Sequence, residues 1–378
     1  MLATLAALVL PASSAPTAVA DDAITHQDYA DTFKFTELRE KGYTGQGVTI
    51  AYIEAAPDLT VPELQGANIE VRSPCEVKPS DPSKAQHSST VASILANKNW
   101  GIAPEAKIIN YTVTDQHDAS YEESLGSCNG DIPDPEEQIH RALNDGADVI
   151  NLSFGLVDEL PPWPFVRAAL LGVPIVASTG NDGTADPPDS MARYNTVVGV
   201  GATNLQGTRS EFSSYGEQLT IMAPGEGISI RSLDENNKPT LIKESGEGTS
   251  FSAPMVAGLL ALGKQKYPDA TGNQLLRSLI DTATRQGEER TDEYGWGLIN
   301  FSKFLNNDPT SLEDTNPLWD KIPGAAPDEQ TAADYRDGLV DPTLLIGDDT
   351  YVYRGVDDTI VQNHPDNSEF GTSPRYRN

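Results

Sequence analysis

The sequence predicts an α/β protein: a doubly wound, mostly parallel sheet with helices on both faces, followed by an acidic C-terminal tail. Three observations point there. Short β-branched runs alternate with helical patterns from about residue 47 to 305. Such alternation requires right-handed crossovers, which lay helices over both faces of a parallel sheet. After Asn300 the pattern fades into an Asp-rich, Pro-punctuated stretch.

The strands expected, in order, are Val48–Ile53, Lys107–Val113, Asp148–Leu152, Val173–Ala177, Thr196–Val200 and Leu219–Met222. Between them, amphipathic or small-residue patterns predict helices over Ser88–Asn97, Pro135–Asp145, Pro162–Leu171 and Pro254–Lys266. Thr271 with Gln274 three residues later reads as a capping box opening a further helix through Leu275, Leu276, Leu279 and Ile280. The tail is expected to be largely disordered, because it is acidic and lacks long periodic segments. The competing expectation is that Thr343–Ile346 and Thr350–Tyr353 pack on the main domain as short strands.

The 378 residues divide on this reading into a signal peptide (1–20), a short lead (21–39), one large domain (40–305) and the tail (306–378). The net charge of −30, with no Lys/Arg cluster, argues against nucleic acid or anionic membrane as a partner. At the N-terminus an apolar run is followed by small residues and Ala18-Val19-Ala20. That is the pattern of an export signal cleaved after Ala20, although no Lys or Arg precedes the run. No other stretch approaches the roughly 20 apolar residues needed to cross a bilayer. In an exported chain Cys75 and Cys128 are a candidate disulfide, a bond that would contribute about 2–4 kcal/mol.

In doubly wound sheets, functional side chains gather beyond the carboxyl ends of the strands. Three segments put reactive groups there. Val48–Ile53 is a buried strand that runs into the carboxylate of Glu54; His87 enters a helix of small residues, Ser88-Ser89-Thr90-Val91-Ala92. In the third, Gly248-Thr249-Ser250-Phe251-Ser252-Ala253-Pro254, Ser250 opens a helix with Pro254 in its first turn, where a missing N–H is harmless.

This third segment, with Val256-Ala257-Gly258 behind it, resembles the nucleophile motif of the subtilases, and the order acid, His, Ser is the subtilisin order. The resemblance covers roughly residues 40 to 305. It includes Gly101–Pro104, Gly146–Gly155, Ser178–Asn181, Phe212–Gly216, Met222–Gly225 and Gly295–Asn300. It implies a serine endopeptidase in which His87 takes the Ser250 proton and returns it to the leaving amine. Asn181 then matches the oxyanion-hole asparagine, and Ser153, Phe154 and Gly155 match the strand that pairs with an extended substrate backbone. The implied partner is an extended peptide or protein, and the enzyme reads as a monomer. His26, His117, His140 and His364 lie in no motif and are assigned no role.

The chain also departs from the family pattern. Where an Asp-Ser/Thr-Gly acid motif is usual, it has Glu54-Ala55-Ala56. Register favours Glu54 over Asp58, because Val61-Pro62-Glu63-Leu64 matches the segment that follows the acid. Glu carries one more methylene, so its carboxylate must fold back or the strand must sit further from His87. In a subtilisin, loss of the acid costs on the order of 10⁴ in turnover. Ser88 replaces the usual glycine and is expected to narrow the groove. Residues 96–101 are too short for the strong calcium site of secreted subtilisins, so no cofactor is expected. The folding-assisting propeptide common in such enzymes is expected to be missing or very short. Asp186 and Asp189 read as solvated turn residues, the alternative being a preference for a basic substrate side chain. Two further readings stay open: a non-catalytic relative that binds peptides in the same groove, and a processing or macrocyclising relative that passes its acyl group to an amine.

Overall fold

The computed structural model describes residues 23–73, 82–113, 134–155, 159–234, 239–285, 287 and 289–354. Seven parallel strands form the central sheet: β1 (Thr49–Glu54), β2 (Ile69–Arg72), β3 (Lys107–Thr112), β4 (Val149–Leu152), β5 (Ile175–Ser178), β6 (Val197–Thr203) and β7 (Ile221–Pro224). Their order is β2-β3-β1-β4-β5-β6-β7. From β1 the chain goes first to the edge strand β2, fills in β3 between the two, then crosses to start β4 on the other side of β1 and winds outward to β7. The carboxyl ends of β1 and β4 flank that switch point, where doubly wound sheets open a crevice.

Alternate side chains of each strand feed two separate cores. Ile50 and Tyr52 of β1 join one, with Val149, Val176, Val198 and Val200; Ala51 and Ile53 join the other, with Ile150, Leu152, Ile175 and Ala177. Each face is covered by helices. In chain order these are α1 (Asp28–Thr32), α2 (Phe35–Glu40), α3 (Pro82–Ala96), α4 (Pro135–Asn144), α5 (Trp163–Leu171), α6 (Thr249–Lys266), α7 (Gly272–Thr282), α8 (Phe301–Leu305) and α9 (Glu329–Asp337). Helix α6 is buried at every position from Thr249 to Gly263, as a helix apolar on all sides must be. The capping box at Thr271 and Gln274 forms as expected and opens α7.

Several elements differ from the sequence expectation. Strand β2 (Ile-Glu-Val-Arg) sits at the sheet edge with two exposed residues and gave no apolar run to read. An antiparallel hairpin, β8 (Glu226–Leu233) with β9 (Pro239–Glu247), lies outside the main sheet. Helix α3 starts six residues before Ser88, and α6 starts at Thr249. The lead is part of the domain: Ile24, Tyr29 and Phe35 are buried in the core on the α6 side. Glu63 pins it, accepting the Ile24 N–H at 2.6 Å and holding Arg231 of β8 through both carboxylate oxygens, at 2.6 and 2.8 Å.

The tail expectation is corrected for residues 306–354. They carry helix α9, capped by Asp328, and bury Leu318, Ala332, Val340, Leu345 and Tyr353. Residues 343–346 and 350–353 form turns and irregular chain rather than strands, the first around a 3₁₀ turn at Pro342–Leu344. The physical reason is polar as much as apolar. Arg167 of α5, almost wholly buried, pairs with Asp348 at 3.3 Å. Asn195 exchanges bonds with the backbone of Ile322, Ala325 and Ala326, Thr196 N–H donates to Leu318, and the Lys321 ammonium donates to the carbonyls of Ala192 and Val197.

Candidate active site

Glu54 is the last residue of β1, and its side chain is 9% exposed. The extra methylene is taken up by folding back: Oε1 accepts the N–H of Ala55 at 3.2 Å. Oε2 faces His87 Nδ1 at 3.4 Å and has no hydrogen-bond partner among the described residues. That is an ion-pair distance, longer than the 2.7–3.2 Å of an aligned N–H···O bond. Asp58 lies elsewhere, with its carboxylate closed on the N–H and hydroxyl of Thr60 at 2.8 and 2.6 Å. Of the two carboxylates, Glu54 is the one that faces His87.

His87 sits in the second turn of α3, and its Nε2 is 2.8 Å from Ser250 Oγ. The Phe251 ring packs against the imidazole, with centroids 5.6 Å apart. Burial opposes charge on this histidine, but the Glu54 carboxylate outweighs it and raises the pKa above the usual value. Ser88 does not reach the groove. It is fully buried and donates to the carbonyl of Ala55 at 2.5 Å, which corrects the expectation that it narrows the cleft.

Ser250 is the second residue of α6, so Pro254 lies beyond the first turn and removes an N–H that the helix would have used. The acceptor deprived of that bond is the carbonyl of Ser250 itself, four residues back. Ser153 supplies the replacement: its hydroxyl donates to Ser250 O at 2.9 Å, while Asn151 Nδ2 donates to the Ser153 oxygen, also at 2.9 Å. The side chain of Ser153 therefore braces the nucleophile, while the pairing expected with substrate involves its backbone.

Asn181 has its orientation set by donors. Its Oδ1 accepts the Thr249 N–H at 2.8 Å and the Thr249 hydroxyl at 2.9 Å, which turns Nδ2 toward Ser250. Gly248 lies between them: a Cβ there would stand 3.0 Å from Ser250 Oγ and 3.7 Å from Asn181 Nδ2. The Ser250 N–H, a first-turn donor with no intrahelical acceptor, belongs to the same corner.

These groups line one cleft of about 280 Å³ with Ser153, Phe154, Gly155, Asp182 and Asp189. Gly155 bridges to Ser190 across it. Asp189 is thus at the cleft, whereas Asp186 accepts the Gln218 N–H at 3.0 Å in a turn away from it. A larger cavity of about 370 Å³, bounded by Ile24, Val61, Trp100 and Ile230, contains none of the reactive groups. In the turn after α3, where a family calcium loop would be, the carbonyls of Asn99 and Gly101 accept from the Arg39 guanidinium. His140 is buried against Arg167, far in role from the cleft, and His26 is paired with Asp28 near the surface. Residues 1–20, Cys75, Cys128, His117 and His364 lie outside the described residues. Thr249, Phe251 and the bracing role of Ser153 were not read from the sequence; only the proline four residues after Ser250 signalled that its carbonyl needed a donor.

The family model of subtilases matches residues 18–297. Subtilisin NAT of Bacillus subtilis subsp. natto is 30% identical over 298 residues, which are 75% of this chain and 73% of that protein. Subtilisin Savinase of Lederbergia lenta is 33% identical over 276 residues, 69% of this chain and 91% of that one. A solved structure of the PatG macrocyclase in complex with peptide covers 75% of this chain and 98% of its own, with a TM-score of 0.59 and 20% identity. At that identity the likeness is one of fold.

Proposed function

The chain belongs to the subtilase family of subtilisin-type serine endopeptidases, and from that premise we propose that it hydrolyses extended peptides through an acyl-enzyme on Ser250. The observation that carries the proposal is the 2.8 Å contact between His87 Nε2 and Ser250 Oγ, inside the cleft that also holds Asn181. Ser250 Oγ attacks the scissile carbonyl while His87 Nε2 takes its proton. The oxyanion receives hydrogen bonds from Asn181 Nδ2 and the Ser250 N–H. As the C–N bond breaks, His87 returns the proton to the leaving amine; water then attacks the acyl-enzyme with His87 again as base. Glu54 stabilises the imidazolium at each stage through its charge, from a distance that leaves room to tighten.

An aligned base and nucleophile argue against a peptide-binding relative that has lost catalysis. Labelling of the folded protein with a fluorophosphonate tests this directly. We expect one modified serine, Ser250, and no labelling of Ser250→Ala; a folded, unlabelled wild-type chain would overturn the proposal. Product masses from a defined peptide, gaining one water on cleavage, distinguish hydrolysis from transfer to an amine.

Residues 1–20 are proposed to direct export, with cleavage after Ala20. Packing supports a start close by, since Ala23 and Ile24 are already buried. The mass of the mature protein recovered outside the cell checks it. Among the described residues no helix is long and apolar enough to cross a membrane. No calcium site is proposed in the turn after α3, where Arg39 occupies the carbonyls.

A further inference from the structure

We propose that Ser88 is a positioning residue for Glu54, holding the strand end that carries the acid to the helix that carries the base. The inference rests on the catalytic reading of Glu54, His87 and Ser250 given above.

The contacts close a ring. His87 and Ser88 are consecutive on α3. The Ser88 hydroxyl, fully buried, donates to the Ala55 carbonyl at 2.5 Å. Across the same residue, the Ala55 N–H donates to Glu54 Oε1 at 3.2 Å. The other carboxylate oxygen then returns to His87 Nδ1 at 3.4 Å. A second hydroxyl of α3, Ser89 Oγ, accepts the Asp58 N–H at 2.8 Å, so residues 55–58 are tied to the helix at both ends.

Glu needs such a clamp more than Asp would. Its carboxylate hangs on one more rotatable bond, and among the described residues the Ala55 N–H alone holds Oε1. Because Oε2 has no hydrogen-bond partner among the described residues, its distance from Nδ1 is set by where Ala55 sits. Among the described residues, a glycine at 88 would leave the Ala55 carbonyl with only Asn110 Nδ2, at 3.3 Å. The two departures from the family pattern, Glu for Asp and Ser for Gly, are then one compensated change.

The test is a four-corner comparison of the full chain: wild type, Ser88→Ala, Glu54→Gln and the double variant. Each is normalised to active sites titrated with fluorophosphonate, so loss of folded protein does not count. Because Asn110 still satisfies the Ala55 carbonyl, Ser88→Ala is expected to fold; Ser88→Gly serves as a second variant. Ser88→Ala should lower kcat about tenfold with KM within about twofold, and should cost less than about twofold when Gln already stands at 54. Unchanged kcat in Ser88→Ala overturns the inference, and so does an equal fractional loss in both backgrounds, which is what a merely structural role would give. Full turnover in Glu54→Gln overturns the catalytic reading and the inference together. It is told apart from failure of the inference alone, in which Glu54→Gln is slow but uncoupled from Ser88.

Discussion

Glu54 carries the family's charge on a longer stem, and its surroundings decide what that stem can do. The carboxylate is buried and 3.4 Å from His87 Nδ1, and it raises the histidine pKa against the opposing effect of burial. Glu54→Gln should therefore lower kcat on the order of 10³-fold, through a mis-set imidazole and an unstabilised imidazolium. The base works only when neutral. Removing the carboxylate lowers the pKa, so the acid limb of kcat/KM should move to lower pH in Glu54→Gln. Asp58→Asn, at a half-exposed turn, should leave turnover within about twofold. A pH–rate profile of the three proteins checks both statements; equal losses at 54 and 58 would refute the register. Glu54 was legible in the sequence as a position, because the motif downstream fixes it. The direction its carboxylate takes was not, since that depends on Ala55 and Ser88 meeting across 33 residues of chain.

Helices and strands carry their own consequences. Pro254 deprives the Ser250 carbonyl of its helical donor, and Ser153, at the end of β4, replaces it. Ser153→Ala should cost about 1–3 kcal/mol by leaving that buried carbonyl unpaired. With Pro254→Ala the helix regains an N–H at the right place, and the cost of Ser153→Ala should shrink; urea unfolding of the four proteins reads this out. On the opposite face, α5 and the tail are joined by Arg167 and Asp348, whose side chains are 4% and 0% exposed. Asp348→Asn should cost about 3–5 kcal/mol, because it strands a buried guanidinium. His140 lies in the same cluster, its pKa pushed down to about 4 by burial, with Asp348 pulling up and Arg167 pushing down. A depressed pKa gives stability that is complete above the unfolded value of roughly 6.5 and is lost as pH falls toward 4. Acid titration followed by tail proteolysis should show that loss, and His140→Phe should blunt it.

At the scale of the molecule, residues 23–39 and 306–354 are not appendages. The lead is sewn to the β8–β9 hairpin by Glu63 and Gln27, the latter exchanging bonds with the Ser229 backbone at 2.8 and 3.0 Å. Residues of the 306–354 segment reach behind the cleft, where they bond to Asn195, Thr196 and Val197 a few residues beyond Asp189 and Ser190. Ending the chain after Asn306 would remove those bonds together with the buried side chains of Leu318, Val340 and Leu345, contacts together worth on the order of 5 kcal/mol. Calorimetry should then show a midpoint lower by roughly 10–20 °C in a domain of this size.

The sequence by itself determined the doubly wound fold, the positions of Ser250, His87, Asn181 and Glu54, and the order in which the chain presents them. Those are local facts: an apolar strand, a capped helix or a glycine-bounded motif needs only its neighbours to be recognised. Tertiary structure alone decided what depends on distant residues meeting. It seated the acidic tail, because Arg167 and Asn195 supply partners that no pattern within residues 306–354 announces. It also turned Ser88 away from the groove and Ser153 toward the nucleophile, because a hydroxyl takes whichever buried carbonyl lacks a donor, and which carbonyl that is emerges only when the elements pack.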